Sequence, residues 1–124
     1  MITVVLAWPV TQLWPNRHSG HTWAYKQQYV ASARREGEVA TLQAIGGGVG
    51  WGGCMAAPKL ALTITFQRQD GHVYDIQNAF SACKSHLDGI ADALGIDDSS
   101  FEPITLRRAV GSEACVIVQI EEGK

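Results

Sequence analysis

The stretch Lys59–Arg68 limits the fold more than any other part of this chain. Leu60, Leu62, Ile64 and Phe66 alternate with Ala61, Thr63, Thr65 and Gln67. That period of two puts every large apolar side chain on one face of an extended strand. Such a strand needs paired neighbours for its backbone and a second layer over its apolar face. The rest of the chain offers both. Ile2 to Trp8 is a β-rich run stopped by Pro9, and two more strands are predicted at roughly Glu102–Ala109 and Ala114–Glu121, joined around Gly111-Ser112. Helical spacing runs from about His21 to Ile45 through Trp23, Tyr29, Val30, Ala33, Val39 and Leu42, with Gly37 expected to kink or divide the helix. A second helix is predicted from about Ile76 to Leu94, with the apolar stripe Phe80, Cys83, Leu87, Ile90 and Leu94 and with Gly95 as its C-cap. The order β-α-β-α-β-β predicts an α/β (α+β) fold: one domain spanning residues 1–124, a mixed sheet with two main helices packed on it.

Between these elements, residues 9–20 carry Pro9, Pro15, Asn16, Ser19 and Gly20, the chemistry of a loop. The run Gly46–Gly53, interrupted by Val49 and Trp51, cannot hold regular structure cheaply and reads as a loop or flap. No segment approaches the roughly 18 apolar residues of a membrane span. The opening Met1-Ile-Thr-Val-Val-Leu-Ala lacks a basic n-region, so a strand is expected there and a cytoplasmic location for the protein. Cys54, Cys83 and Cys115 are far apart and form no C-x-x-C, which points to reduced thiols and not to zinc or a disulfide framework. His18 and His21 lack a third soft ligand nearby, and His72 and His86 read as surface histidines.

Charge is segregated along the chain. Residues 1–68 hold six basic side chains against two acidic ones, a net of +4, whereas residues 69–124 hold four against ten, a net of −6. A basic half beside an acidic half suits a polyanion-binding surface next to a cation-binding cluster.

The acidic half has a pattern of its own. Asp75 stands where a helix begins, Lys84 and Asp88 lie on the polar face of that helix, and Asp97-Asp98 follow its end. Asp75 alone is most simply an N-cap. Two acids beyond a helix C-terminus oppose the dipole, so a purely structural design would not choose them. Lys84 preceding Asp88 by four is the weaker orientation for an i,i+4 ion pair. Carboxylates gathered with one lysine fit a divalent-metal phosphodiester hydrolase.

These residues carry a resemblance. Leu6-Ala-Trp-Pro9 with Pro15-Asn16-Arg17, then Asp75-Ile-Gln-Asn78 with Lys84 and Leu87-Asp88-Gly89-Ile90, then Gly95-Ile-Asp97-Asp98 make the chain similar to the RusA-type crossover junction endodeoxyribonucleases, Holliday-junction resolvases of phages and prophages. The resemblance implies a homodimer that serves DNA recombination and repair by making paired nicks across a four-way junction with magnesium, or manganese in its place. It assigns catalysis to Asp75, Asp98 and Lys84, metal ligation to Asp75, Asp97, Asp98 and the position of Gln77, and support to Asn78 and Asp88. Hard oxygen ligands suit magnesium, and a lysine beside it would stabilise charge developing on the phosphate.

Gln77 stands where the family carries a second acid, which leaves two readings open: a working nuclease in which Asp97 or Asp88 compensates, or a dimer that binds junctions without cutting them. A phage-derived interaction protein with no DNA role is a third. A continuous helix would hold Asp75 and Asp98 about 28 Å apart, so either the helix breaks at Gly89 or the acids meet across a two-fold axis, giving two composite sites per homodimer. For DNA phosphates, Asn16, Arg17, Lys26, Arg34, Arg35 and Arg68 are the expected contacts. Trp14 and Trp23 are expected to pack, with Trp51 open to stacking on bases.

Overall fold

The structure, a computed structural model, describes residues 1–15, 23–46, 59–70 and 74–122. Asn16, Arg17, His18, His21, Trp51, Cys54, His72 and nearly all of the glycine run lie outside the described residues, as does the side chain of Trp23. Four strands form one mixed sheet: β1 (Ile2–Ala7), β2 (Leu60–Arg68), β3 (Phe101–Val110) and β4 (Cys115–Glu122). Three helices accompany it: α1 (Trp23–Ala44), α2 (Ile76–Ala82) and α3 (Lys84–Leu94). Among the described residues, no helix is long and apolar enough to cross a membrane.

The sheet order is β1-β4-β2-β3. β4 runs antiparallel to both β1 and β2, while β3 runs parallel to β2. The α2–α3 segment therefore makes the crossover that a parallel pair requires. β3 and β4 follow one another in sequence yet are not neighbours in the sheet. Their connection arches over the end of β2 and is tied down there: Gly111 N donates to Arg68 O at 2.9 Å, Gln67 Nε2 to Glu113 O at 3.0 Å, and Gln69 Nε2 to Ser112 O at 2.8 Å.

The period-two reading of β2 holds. Leu60, Leu62, Ile64 and Phe66 are buried, and they meet Val4 and Leu6 of β1 and Val116, Val118 and Ile120 of β4 in one core. Leu87, Ile90, Ala91 and Leu94 of α3 complete it. At about 25 cal/mol per Å² of apolar surface removed from water, this seam is the main favourable term of the fold.

The helices depart from expectation in four places. The predicted single helix Ile76–Leu94 is divided at Cys83, whose φ of −96° and ψ of 0° end α2 and start α3. Each half keeps its own ladder, with Cys83 N bonded to Phe80 O and Leu87 N to Cys83 O, both at 3.0 Å. Gly89 is not the break. A Cβ there would lie 1.8 Å from Arg34 O, and a Cβ on Gly37 would lie 2.1 Å from His86 O. Both glycines are notches that let the α1 and α3 backbones touch, and α1 runs through Gly37 unbroken. The face of α1 turned to this contact is the small-residue row Ala33, Gly37 and Thr41, with Thr41 Oγ1 donating to Gly37 O at 2.7 Å. Val39 and Leu42, expected in the apolar stripe, are exposed. His86, expected at the surface, is buried at this crossing with Nε2 3.4 Å from Glu36 Oε1.

Candidate active site

The end of α3 and the turn after it build an acidic cleft. Gly95 adopts the left-handed conformation (φ 71°) and caps α3, its N–H reaching back to Ala91 O and Asp92 O. The chain then reverses, and Asp97 caps a short 3-10 turn, Asp98–Ser100, by accepting Ser99 N at 3.2 Å. Two turns of geometry thus place Asp97 and Asp98 beside the last turns of α3. Asp88, Asp92, Asp97 and Asp98 line an open cleft of about 270 Å³ together with Arg34, Ala91 and Ile96.

The electrostatics of the cleft separate the two adjacent acids. The Ser99 N–H bond, then a hydrogen bond with Asp98, hold the Asp97 carboxyl below its usual range. Asp98 is pushed above its usual range by the hydrogen bond with Asp97, by desolvation and by the charges of Asp97 and Asp88, with Lys84 pulling the other way. One carboxyl stays ionised while its neighbour keeps a proton more readily. Lys84, at the first position of α3, lies with Nζ 5.4 Å from the centre of the Phe80 ring. At the rim, Arg34 grips Asp92 with two parallel bonds, Nε to Oδ2 at 2.6 Å and Nη2 to Oδ1 at 2.9 Å.

Of the expected site residues, Asp97, Asp98, Asp88 and Lys84 are brought together. Asp75 and Gln77 are not part of this cleft. Asp75 is the N-cap of α2, and its Oδ1 accepts from Gln77 N at 2.8 Å and Asn78 N at 3.2 Å. Just before it, Tyr74 O accepts from Arg108 Nη2 at 3.0 Å, and Tyr74 Oη donates to Phe66 O at 3.1 Å. Asp75 therefore sits by the C-terminal end of β3, whereas Asp98 sits by its N-terminal end at Phe101. At about 3.3 Å per strand residue the two acids are on the order of 20 Å apart within one chain. Among the described residues, no three His, Cys, Asp or Glu side chains converge closely enough to hold a metal ion.

The expected phosphate contacts also divide. Lys26 and Arg35 are exposed on α1, and Arg34 is committed to Asp92. Arg68 lies across the Trp8 ring at 4.8 Å, with Asp70 at 3.6 Å. Trp14 packs, as expected: it stacks on Trp8 and donates Nε1 to Pro9 O at 3.2 Å. Cys83 is a buried thiol that desolvation pushes up to about 12, so it stays protonated and inert. Sequence reasoning missed Asp92, although its i,i+4 spacing from Asp88 was a usable signal.

No family model matches the chain. It is similar to an uncharacterized protein of Xylella fastidiosa, 36% identical over 104 residues. That match covers 82% of this chain and 63% of the relative, so the chain spans less than two thirds of the relative's length.

Proposed function

We propose that this chain is a RusA-type, magnesium-dependent, structure-selective endodeoxyribonuclease that resolves Holliday junctions by paired nicks as a homodimer. The reading rests on one observation above the others: the Asp97–Asp98 pair faces Asp88 in one cleft, with the charge of Lys84 acting on Asp98. The donor set fits magnesium in chemistry, because a hydrated magnesium takes one or two carboxylates and substrate phosphates and needs no all-protein cage. Asp97 and Asp98 would hold it; when bound it polarises the phosphoryl oxygen and acidifies a water.

The chain's own groups do the rest. Asp97, kept ionised by the Ser99 N–H, is the fixed ligand of the pair. Asp98, with its raised affinity for protons, would give up its proton to serve as the second ligand. Lys84 offsets negative charge that develops on the phosphate. Asp75 joins from the partner chain: two copies arranged antiparallel bring the start of α2 in one beside the end of α3 in the other. Closed two-fold symmetry gives two such composite sites, matching a junction nicked at two symmetric points.

Gln77 favours a second reading, a junction-binding dimer with weakened chemistry, because a neutral amide ligates magnesium less strongly than a carboxylate. A nicking assay on a fixed four-way junction decides. With magnesium, paired nicks that are lost in Asp98→Asn support the nuclease. Binding without nicks, and cleavage only in Gln77→Asp, supports the weakened dimer. Absence of junction binding removes both.

A further inference from the structure

At the C-terminal ends of β2 and β3, the sheet carries arginines laid on aromatic rings. Trp8 stacks on Trp14 with centroids 6.0 Å apart and meets Tyr74 edge-on at 5.4 Å. Arg68 lies over Trp8 at 4.8 Å, and Arg108 over Tyr74 at 5.3 Å. The charges of Arg108 and Arg68 both act on the Tyr74 phenol, against the burial that pushes it up. Arg107 is exposed on the opposite face of β3, with no ion pair among the described residues. Asp70, Asp75 and Glu113 are acids of this end among the described residues, and Asp70 pairs with Arg68 Nε at 3.6 Å. The Arg68 Nε is buried without a hydrogen-bond partner.

The ring faces are taken by guanidiniums and by other rings, so they are not free platforms for bases. What they do is hold guanidiniums in place. A guanidinium held over a ring has lost much of its freedom before any ligand arrives, and N–H groups not turned to the ring can meet a phosphate. Arg108 uses Nη2 to hold the carbonyl of Tyr74, the residue just before Asp75. The same side chain thus fixes where Asp75 begins its cap.

We propose that Arg68 and Arg108 on one face of the sheet, with Arg107 on the other face of the edge strand β3, grip phosphates around that edge and deliver a DNA strand to Asp75. This rests on the nuclease reading above and adds to it the side chains that seat the backbone. Contact is with phosphates and carries no base preference. In a composite site, the arginine end of one chain faces the acidic cleft of its partner, so the scissile strand lies between them.

The test measures binding of a labelled four-way junction by fluorescence anisotropy across a salt series, with nicking in magnesium followed in parallel. Arg107→Ala and Arg108→Ala are expected to weaken binding about tenfold each and to lower the salt slope by about one each. Arg108→Lys restores charge without the planar fork and is expected to recover only part of the affinity. Lys59→Ala removes one charge at the other end of β2 and is expected to bind as wild type. Arg107 is exposed, so its variant reports on binding even if Arg108→Ala misfolds. Wild-type affinity and slope in Arg107→Ala overturn the proposal, and if nicking persists they leave the nuclease reading standing. Reduced slopes without any nicking uphold the arginine surface and overturn the nuclease. A wild-type protein that binds no junction overturns both.

Discussion

The two ends of β3 are held by different physics. At its N-terminal end, Asp97 and Asp98 are exposed and kept in place by a backbone cap, a left-handed glycine and an ion pair at the cleft rim. At its C-terminal end, Trp8 meets Phe66 and Tyr74 edge to face and stacks on Trp14, and the arginines ride on Trp8 and Tyr74. The first end tolerates like charges side by side because water and Lys84 attenuate them. The second is an extension of the core. The contrast teaches that the acids here are placed by turns, whereas the guanidiniums are placed by packing, so the two respond differently to substitution.

The largest effect is expected where packing does the placing. Trp8→Ala should lower stability by about 3 kcal/mol, the lower end of the range for truncating a packed tryptophan, as read from urea unfolding. Asp98→Asn should leave the melting temperature unchanged or raise it, since it removes repulsion from Asp97 and Asp88. If both variants lose stability equally, the distinction between the two ends fails.

A middle-sized effect is expected at the crossing that supports the acidic end. Gly89→Ala drives a methyl group into the Arg34 carbonyl, and should cost about 2 kcal/mol, as overpacking does. It also pushes Arg34 away from Asp92, so the spectroscopic signature of the cleft should change: the Asp92 carboxyl, held low by Arg34, should titrate closer to its ordinary range by NMR. An unchanged Asp92 titration would mean that the rim pair does not depend on the helix contact.

The smallest effect is a pH slope. Burial holds His86 below its ordinary value of 6.5, with Glu36 opposing. The unfolded chain therefore takes up a proton first as pH falls through about 6.5. Stability is full above that value and declines below it, until the lowered folded value is passed. His86→Gln should flatten the slope of melting temperature between pH 7 and 5, on the order of two pH units wide. A slope that survives the substitution would assign the acid sensitivity elsewhere, such as the Asp97–Asp98 pair.

What was legible in the chain depended on period. Alternation marked β2 and β4 within a residue, and the apolar stripe of α3 with Gly95 behind it was read correctly. Three features had no such signal. The break at Cys83 involves neither glycine nor proline. The contact row Ala33, Gly37 and Thr41 is too small and too polar to register as a hydrophobic stripe, so Val39 and Leu42 drew attention in its place. The central position of β4 follows from pairing, about which alternation is silent. At the site, Lys84, Asp88, Asp97 and Asp98 were legible because they are close in sequence. Arg34 and Asp92, 58 residues apart, were not. Arg107 and Arg108 were overlooked because adjacent residues of a strand point to opposite faces, and neither face showed a pattern.

The arch that carries the chain over β2 has a consequence for how the sheet is made. β1 pairs with β4 alone, matching Ile2 with Ile120, and β4 also separates β1 from β2. During synthesis β1 thus has no strand partner until residues 115–122 have left the ribosome, and the closing loop is then nearly the length of the chain. Contacts so distant in sequence slow folding and leave an unpaired apolar strand waiting. The two-strand unit β2–β3 with its helices can assemble earlier, leaving a gap on one side that only the last strand fills.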